Sequence, residues 1–172
     1  AAGMMMAYFM SQDSFFDSKS VLIIDKEVKD QNDRTWCYWE NGKGNWDQIL
    51  TKEWKKIFFA SKNWSKQIDL NDFSYKMIRS KNFYQFVRES ISRKKNIKLI
   101  TEDILFVDDQ KSAVIVKTNR ASYSGNKVLS SIFDKTWIEE NVSFPYLKQH
   151  FIGWFVKTKN PVFDENIAGF MD

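Results

Sequence analysis

A chain of 172 residues with 43% hydrophobic and 16% aromatic side chains is the size of one globular domain with a real core. Its 15 Phe and 7 Trp exclude a disordered chain, the lone Cys37 excludes a disulfide scaffold, and 6 Gly with 2 Pro exclude collagen-like and linker-like classes. The charge is mildly basic at +4, and no uninterrupted apolar run approaches the ~20 residues of a helical membrane span. Basic residues are spread from Lys19 to Lys159, so a nucleic acid is not expected as a partner. The densest run, Arg93-Lys94-Lys95, falls at a predicted helix end, where cations favour the helix dipole.

In chain order, the uncharged stretch Ala1 to Met10 predicts a buried helix, with Gly3 near its start and Ser11 to Ser14 closing it. It has neither the basic start nor the small-residue cleavage site of a signal peptide. Val21-Leu22-Ile23-Ile24-Asp25 is a continuous β-branched run of strand length that fits an inner parallel strand ending in an acid. Asp30 to Gly44 has loop composition, yet it holds Trp36-Cys37-Tyr38-Trp39. Strands are expected at Trp54–Ala60 and Ser65–Leu70, then a helix with Ser80 as N-cap and Phe83, Phe86, Val87 and Ile91 on one face. Further strands are expected at Ile97–Thr101, Ile104–Val107 and Ala113–Thr118, the last two joined by a turn at Asp108 to Lys111. Ala121–Ser124 and Lys127–Ile132 read as another pair, and His150–Lys157 as a last strand.

The opening helix and strand carry half of a dinucleotide fingerprint. That fingerprint needs a strand, a Gly-rich turn, a helix, a second strand, and an acid at that strand's end. Ala1-Ala2-Gly3 fits the tail of G-x-G-x-x-G, and Asp25 follows at close to the expected ~20 residues. Small residues there let backbone N–H groups face a pyrophosphate, and Asp25 is placed to accept hydrogen bonds from a ribose. The first strand and first two glycines are absent from the chain, and an ordinary helix and strand explain the half-motif equally well.

Three separated segments resemble the flavin-dependent lycopene cyclases. Val21 to Lys26, followed by Asn32-Asp33-Arg34-Thr35-Trp36-Cys37-Tyr38-Trp39, is similar to that family's second strand and Thr-Trp-Cys-aromatic-Trp signature. Gln149-His150-Phe151-Ile152-Gly153-Trp154 resembles its Gln-His-Phe-x-Gly-Trp block. Pro161-Val162-Phe163-Asp164 with Met171-Asp172 resembles its Pro-x-Phe-Asp…Met-Asp segment. The resemblance implies an α/β fold: a Rossmann-like FAD-binding domain of the flavoprotein type with an inserted antiparallel β region on the substrate side. Residues 1–172 would be part of that domain, truncated at both ends, with the proposed catalytic acid in a continuation beyond Asp172. The fragment alone would then bind FAD poorly and be inactive.

The implied activity is that of a lycopene β-cyclase, closing the end groups of lycopene into β-ionone rings by acid catalysis without net redox. Reduced FAD is the implied cofactor, with NAD(P)H keeping it reduced. Lycopene is the implied substrate, and peripheral membrane contact from the cytoplasm follows from its being a membrane-dissolved hydrocarbon. Oligomeric state is left open. Gly3, Asp25 and Arg34 are the candidate cofactor contacts, Arg34 being equally readable as a surface cation. Trp36 and Trp39 either line the site or anchor a loop, and Cys37 reads as a buried small hydrophobe. His150, the only histidine, has no second ligand for a metal and no triad partner; it reads as structural. Asp164 and Asp172 fit a developing cation or a turn equally well, so no catalytic acid and no metal ligand is assigned. The alternatives are another FAD-dependent flavoprotein, such as a monooxygenase or prenyl reductase, and a non-catalytic aromatic-rich binding module.

Overall fold

A computed structural model describes residues 1–132, 138–140, 142–143, 152–154 and 156–171. Helix α1 (Ala2–Gln12) leads into strand β1 (Val21–Asp25), followed by β2 (Thr35–Asn41), β3 (Lys52–Trp54), β4 (Lys56–Ser61), β5 (Trp64–Asp69) and β6 (Phe73–Arg79). Helix α2 (Ser80–Ser92) comes next, then β7 (Ile97–Thr101), β8 (Ile104–Asp109), β9 (Val114–Thr118), β10 (Ser122–Gly125) and β11 (Ile167–Met171).

The core is built where the two helices meet the sheets. Helix α2 buries Phe83, Tyr84, Val87 and Ile91, a stripe at helical spacing, while its Lys, Gln and Glu residues face outward. Those side chains pack with Met4 and Ala7 of α1, Ile78 of β6 and Ile97 of β7. Helix α1 is apolar on nearly every side but buries only Met4, Ala7 and Ser11; Met5, Met6 and Phe9 remain exposed. The expected buried helix is therefore buried along one stripe only.

The expectation of a Rossmann-like FAD-binding domain is overturned. Among the described residues the strands form four small sheets, in the orders β1-β7, β10-β9-β8, β11-β4-β5 and β2-β6-β3. A doubly wound fold needs one sheet of successive parallel strands joined by crossover helices. Here β1 and β7 are a parallel pair in register from Val21↔Ile97 to Asp25↔Thr101, and five strands that take part in antiparallel pairs intervene between them. The half-motif identified helix α1 and strand β1, but much of the chain between β1 and its partner β7 is spent on other sheets.

Smaller expectations also change. The segment read as an aromatic loop contains a regular strand, β2, paired antiparallel along its whole length with β6 (Thr35↔Arg79 to Asn41↔Phe73). Strand β6 went unread because Lys76 interrupts its apolar pattern. The single strand expected at Trp54–Ala60 is split: β3 pairs with β6, whereas β4 pairs with β5 and β11. Strand β10 pairs with β9, and residues 127–132 form no strand. Ser80 is the first helical residue of α2 rather than its cap, which is Arg79. The strand expected at His150–Lys157 lies partly outside the described residues; 152–154 and 156–157 are irregular.

Candidate functional site

The start of α1 and the ends of β1 and β7 converge. The helix begins without a side-chain cap, which leaves its first backbone N–H groups without a side-chain acceptor, and a Cβ added to Gly3 would meet nothing within 4 Å. Asp25 stands at the last position of β1, half-buried, with one carboxylate oxygen accepting the Glu27 N–H at 3.2 Å. The amine of Ala1 is held below its ordinary pKa, first by burial; Asp25 and Asp33 act on it to raise the value, Lys29 and Arg34 to lower it. Asp25 and Met4, the residue after Gly3, line one small cavity, and Arg34 is not among the residues that line it.

This cavity, of about 40 Å³, is lined by Met4, Asp25, Val28, Lys29, Arg88 and Thr101, among others. Arg88 donates to the carbonyls of Lys29 and Tyr84, and Lys29 forms a 2.7 Å ion pair with Glu27. That volume is well short of the roughly 300–1,000 Å³ of a small-molecule pocket. The residues present fit the phosphate and ribose portion of a dinucleotide, with N–H donors at a helix start and a strand-end carboxylate. They do not form an enclosure for a flavin ring.

Arg34 is placed by a residue that sequence reasoning took for a helix cap. The Ser80 hydroxyl donates to Asp33 Oδ1 at 2.7 Å and accepts the Arg34 N–H at 3.0 Å; the Ser80 N–H in turn donates to the Arg34 carbonyl at 2.9 Å. Ser80 is completely buried, so these bonds are made away from water. The bond from Ser80 is the first cause that holds the Asp33 carboxyl below the usual range. The Arg34 side chain stays exposed.

Strand geometry separates the two tryptophans of Thr35-Trp36-Cys37-Tyr38-Trp39. Alternation sends Trp36 and Tyr38 toward the helices, where Trp36 packs edge-on against Phe83 and Tyr84 at 5.5 and 6.0 Å. Cys37 and Trp39 take the opposite face and are exposed, which corrects the reading of Cys37 as a buried hydrophobe. Behind the strand, Lys76 of β6 is 1% exposed and donates to Glu40 at 2.8 Å, Asp47 at 2.6 Å and the Gly42 carbonyl at 2.9 Å. Gly42 has φ +66, a conformation that suits glycine, at the turn where its carbonyl meets Lys76. Burial works against the Lys76 charge, but the hydrogen bonds it donates to Asp47 and Glu40 outweigh it and raise its pKa. All three ammonium protons are used, so Lys76 is a latch that ties the loop after β2 to the sheet. A lysine inside a strand pattern, with acids on the neighbouring loop, was the available sequence signal for it.

Asp164 accepts the Asn166 N–H at 2.8 Å, a turn leading into β11, and the Trp54 indole N–H donates to the Glu165 carbonyl at 3.1 Å. Turn formation therefore accounts for Asp164. Gln149, His150, Phe151 and Asp172 lie outside the described residues; Gly153 and Trp154 are exposed. Among the described residues no group of three or more His, Cys, Asp or Glu could hold a metal ion.

The family model described as "Lycopene cyclase protein" matches residues 1–172. No curated protein matches the chain. Among solved structures, "Crystal structure of FqzB, native proteins" is similar at 12% identity with a TM-score of 0.49, over 71% of this chain and 31% of that one. The chain thus spans about a third of that protein's length.

Proposed function

Since the chain belongs to the lycopene cyclase family, we propose that it serves the closure of lycopene end groups into β-ionone rings. In that reaction a proton adds to the terminal double bond, the resulting carbocation is attacked by an internal double bond, and loss of a proton restores neutrality. Atoms and electrons balance without an oxidant, so the change is an isomerisation. The observation that carries this reading is the family match over the whole chain.

Reduced FAD, kept reduced by NAD(P)H, would supply an electron-rich partner for the developing cation. The N–H groups at the uncapped start of α1 and the Arg34 guanidinium would oppose phosphate charge, and Asp25 would accept hydrogen bonds from ribose hydroxyls. Ser80 would hold Arg34 in place by its two backbone bonds. Because the substrate is a membrane-dissolved hydrocarbon, a cytoplasmic protein acting at the membrane surface fits the reading. Among the described residues no helix is long and apolar enough to cross a membrane.

Expression of the complete gene in lycopene-accumulating cells tests the activity. Cyclised carotene, resolved chromatographically, is the expected result; persistent lycopene beside well-expressed protein refutes it. Retention of FAD by the protein purified from those cells tests the cofactor part separately.

A further inference from the structure

An antiparallel sheet that buries one face ordinarily turns a polar face to water. The β2-β6-β3 sheet does not. Along β6, Ser74, Lys76 and Ile78 are buried, and the alternate positions Phe73, Tyr75 and Met77 point the other way. Trp39 and Trp54 stand in register on either side of Tyr75, and Cys37 stands opposite Met77. The middle of this outward face is therefore Trp39, Tyr75, Trp54, Cys37 and Met77.

The rings form one connected group. Tyr75 lies 4.6 Å from Trp39, 5.1 Å from Phe170 of β11 and 5.9 Å from Trp54, and Phe170 is stacked at 5.9 Å on Trp39. Trp39 nonetheless keeps 49% of its surface exposed. The helical core is served by the other face of the same sheet, through Trp36 and Ile78; on this face Phe170 packs on Tyr75 and Trp39, and the part that stays open is the rest of the Trp39 ring with Cys37 two positions away.

We propose that this face is the platform on which the reacting end of the carotenoid lies, a placement that rests on the cyclase reading above. Its electrostatics suit that occupant. Aromatic faces are electron-rich and complement a carbocation once solvent is displaced, while offering a neutral hydrocarbon nothing that must be desolvated. The sulfurs of Cys37 and Met77 are soft and polarizable. Tyr75 and Cys37 lie on this same face, two positions apart across the β2–β6 register. Lys52, in register with Met77, is paired with Glu165 at 3.9 Å. The face thus holds a neutral polyene by area and the cation formed from it by ring quadrupoles.

The test uses the complete protein and phosphatidylcholine liposomes, either empty or loaded with lycopene. Alkylation of Cys37 by N-ethylmaleimide, followed on its peptide by mass spectrometry, should slow at least about tenfold with loaded liposomes relative to empty ones. In parallel, Trp39→Leu should lower kcat for cyclisation by about thirtyfold, the size of one desolvated cation–π contact. Trp39→Phe, which keeps a ring, should retain most of it. Equal Cys37 labelling with empty and loaded liposomes, in a protein that does cyclise lycopene, overturns the platform and leaves the activity standing. So does equal kcat for Trp39→Leu and the unsubstituted protein, or an equal loss in the Leu and Phe variants at matched melting temperature. Failure of the unsubstituted protein to cyclise lycopene brings down the cyclase reading, and the platform with it.

Discussion

The Lys76 latch allows a stability prediction with a sign that depends on which charge is removed. Its ammonium is buried and satisfied by two carboxylates and a carbonyl, whereas Glu40 and Asp47 are 27% and 34% exposed. Glu40→Gln or Asp47→Asn alone leaves one counter-charge, and solvent screening limits each loss to about 1 kcal/mol. Removing both strands a cation that cannot reach water, which costs about 3–5 kcal/mol. In a domain of this size 1 kcal/mol corresponds to about 2–4 °C, so the double variant should melt about 6–20 °C lower, more than the two singles together. Adding Lys76→Met to the double variant removes the stranded charge and should recover most of the loss. Thermal unfolding followed by circular dichroism reads all four proteins. A triple variant as unstable as the double would refute the reasoning, because the cost would then lie in packing rather than in charge.

The same latch has a pH signature. Asp47 is held below the ordinary carboxylate range, first by its hydrogen bond from Lys76. Its contribution is therefore complete above the unfolded value of about 3.9 and disappears as pH falls through the lower folded value. Lys76 is shifted upward, so its contribution is complete below about 10.4 and is lost only as pH rises through the higher folded value. The melting temperature should fall on acidification below about pH 4, and Asp47→Asn should flatten that fall.

Two further substitutions probe neighbouring parts of the site. A Cβ at Gly44 would run into the flexible end of Glu40, so Gly44→Ala should push its carboxylate off Lys76 and cost about 1 kcal/mol in chemical denaturation, as Glu40→Gln does; an unchanged midpoint would contradict the geometry. Ser80→Ala removes the hydroxyl shared by Asp33 and Arg34 and should cost about 1–3 kcal/mol. It should also return the Asp33 carboxyl toward its ordinary value, a shift that NMR titration would detect and that a general loosening of the helix would not produce.

Much of the local structure was legible because it depends on neighbours along the chain. Val21 to Asp25 is a strand by β-branched content, α2 is a helix by the spacing of Phe83, Val87 and Ile91, and Asp108 to Lys111 joins β8 to β9. The helix start and strand-end acid were readable for the same reason. Strand β6 was hidden, since a buried lysine looks like solvent-facing polarity until Glu40 and Asp47 are brought to it from 36 and 29 positions away. Ser80 passed for a cap because its partners, Asp33 and Arg34, are as remote.

By itself the sequence determined the family, its resemblance carried by segments within 21–39, 149–154 and 161–172, and the position of most helices and strands. Hydrophobic period and residue order suffice for that, because both are local. What only the tertiary structure decided is how the strands associate: among the described residues, four small sheets where a Rossmann-like domain with an inserted antiparallel region was expected, with β3 and β4 parting company at Lys55. It also decided which tryptophan of the motif belongs to the core and which faces outward. Pairing partners and faces are set by contacts between distant residues, and a period of two says that side chains alternate without saying which side is buried.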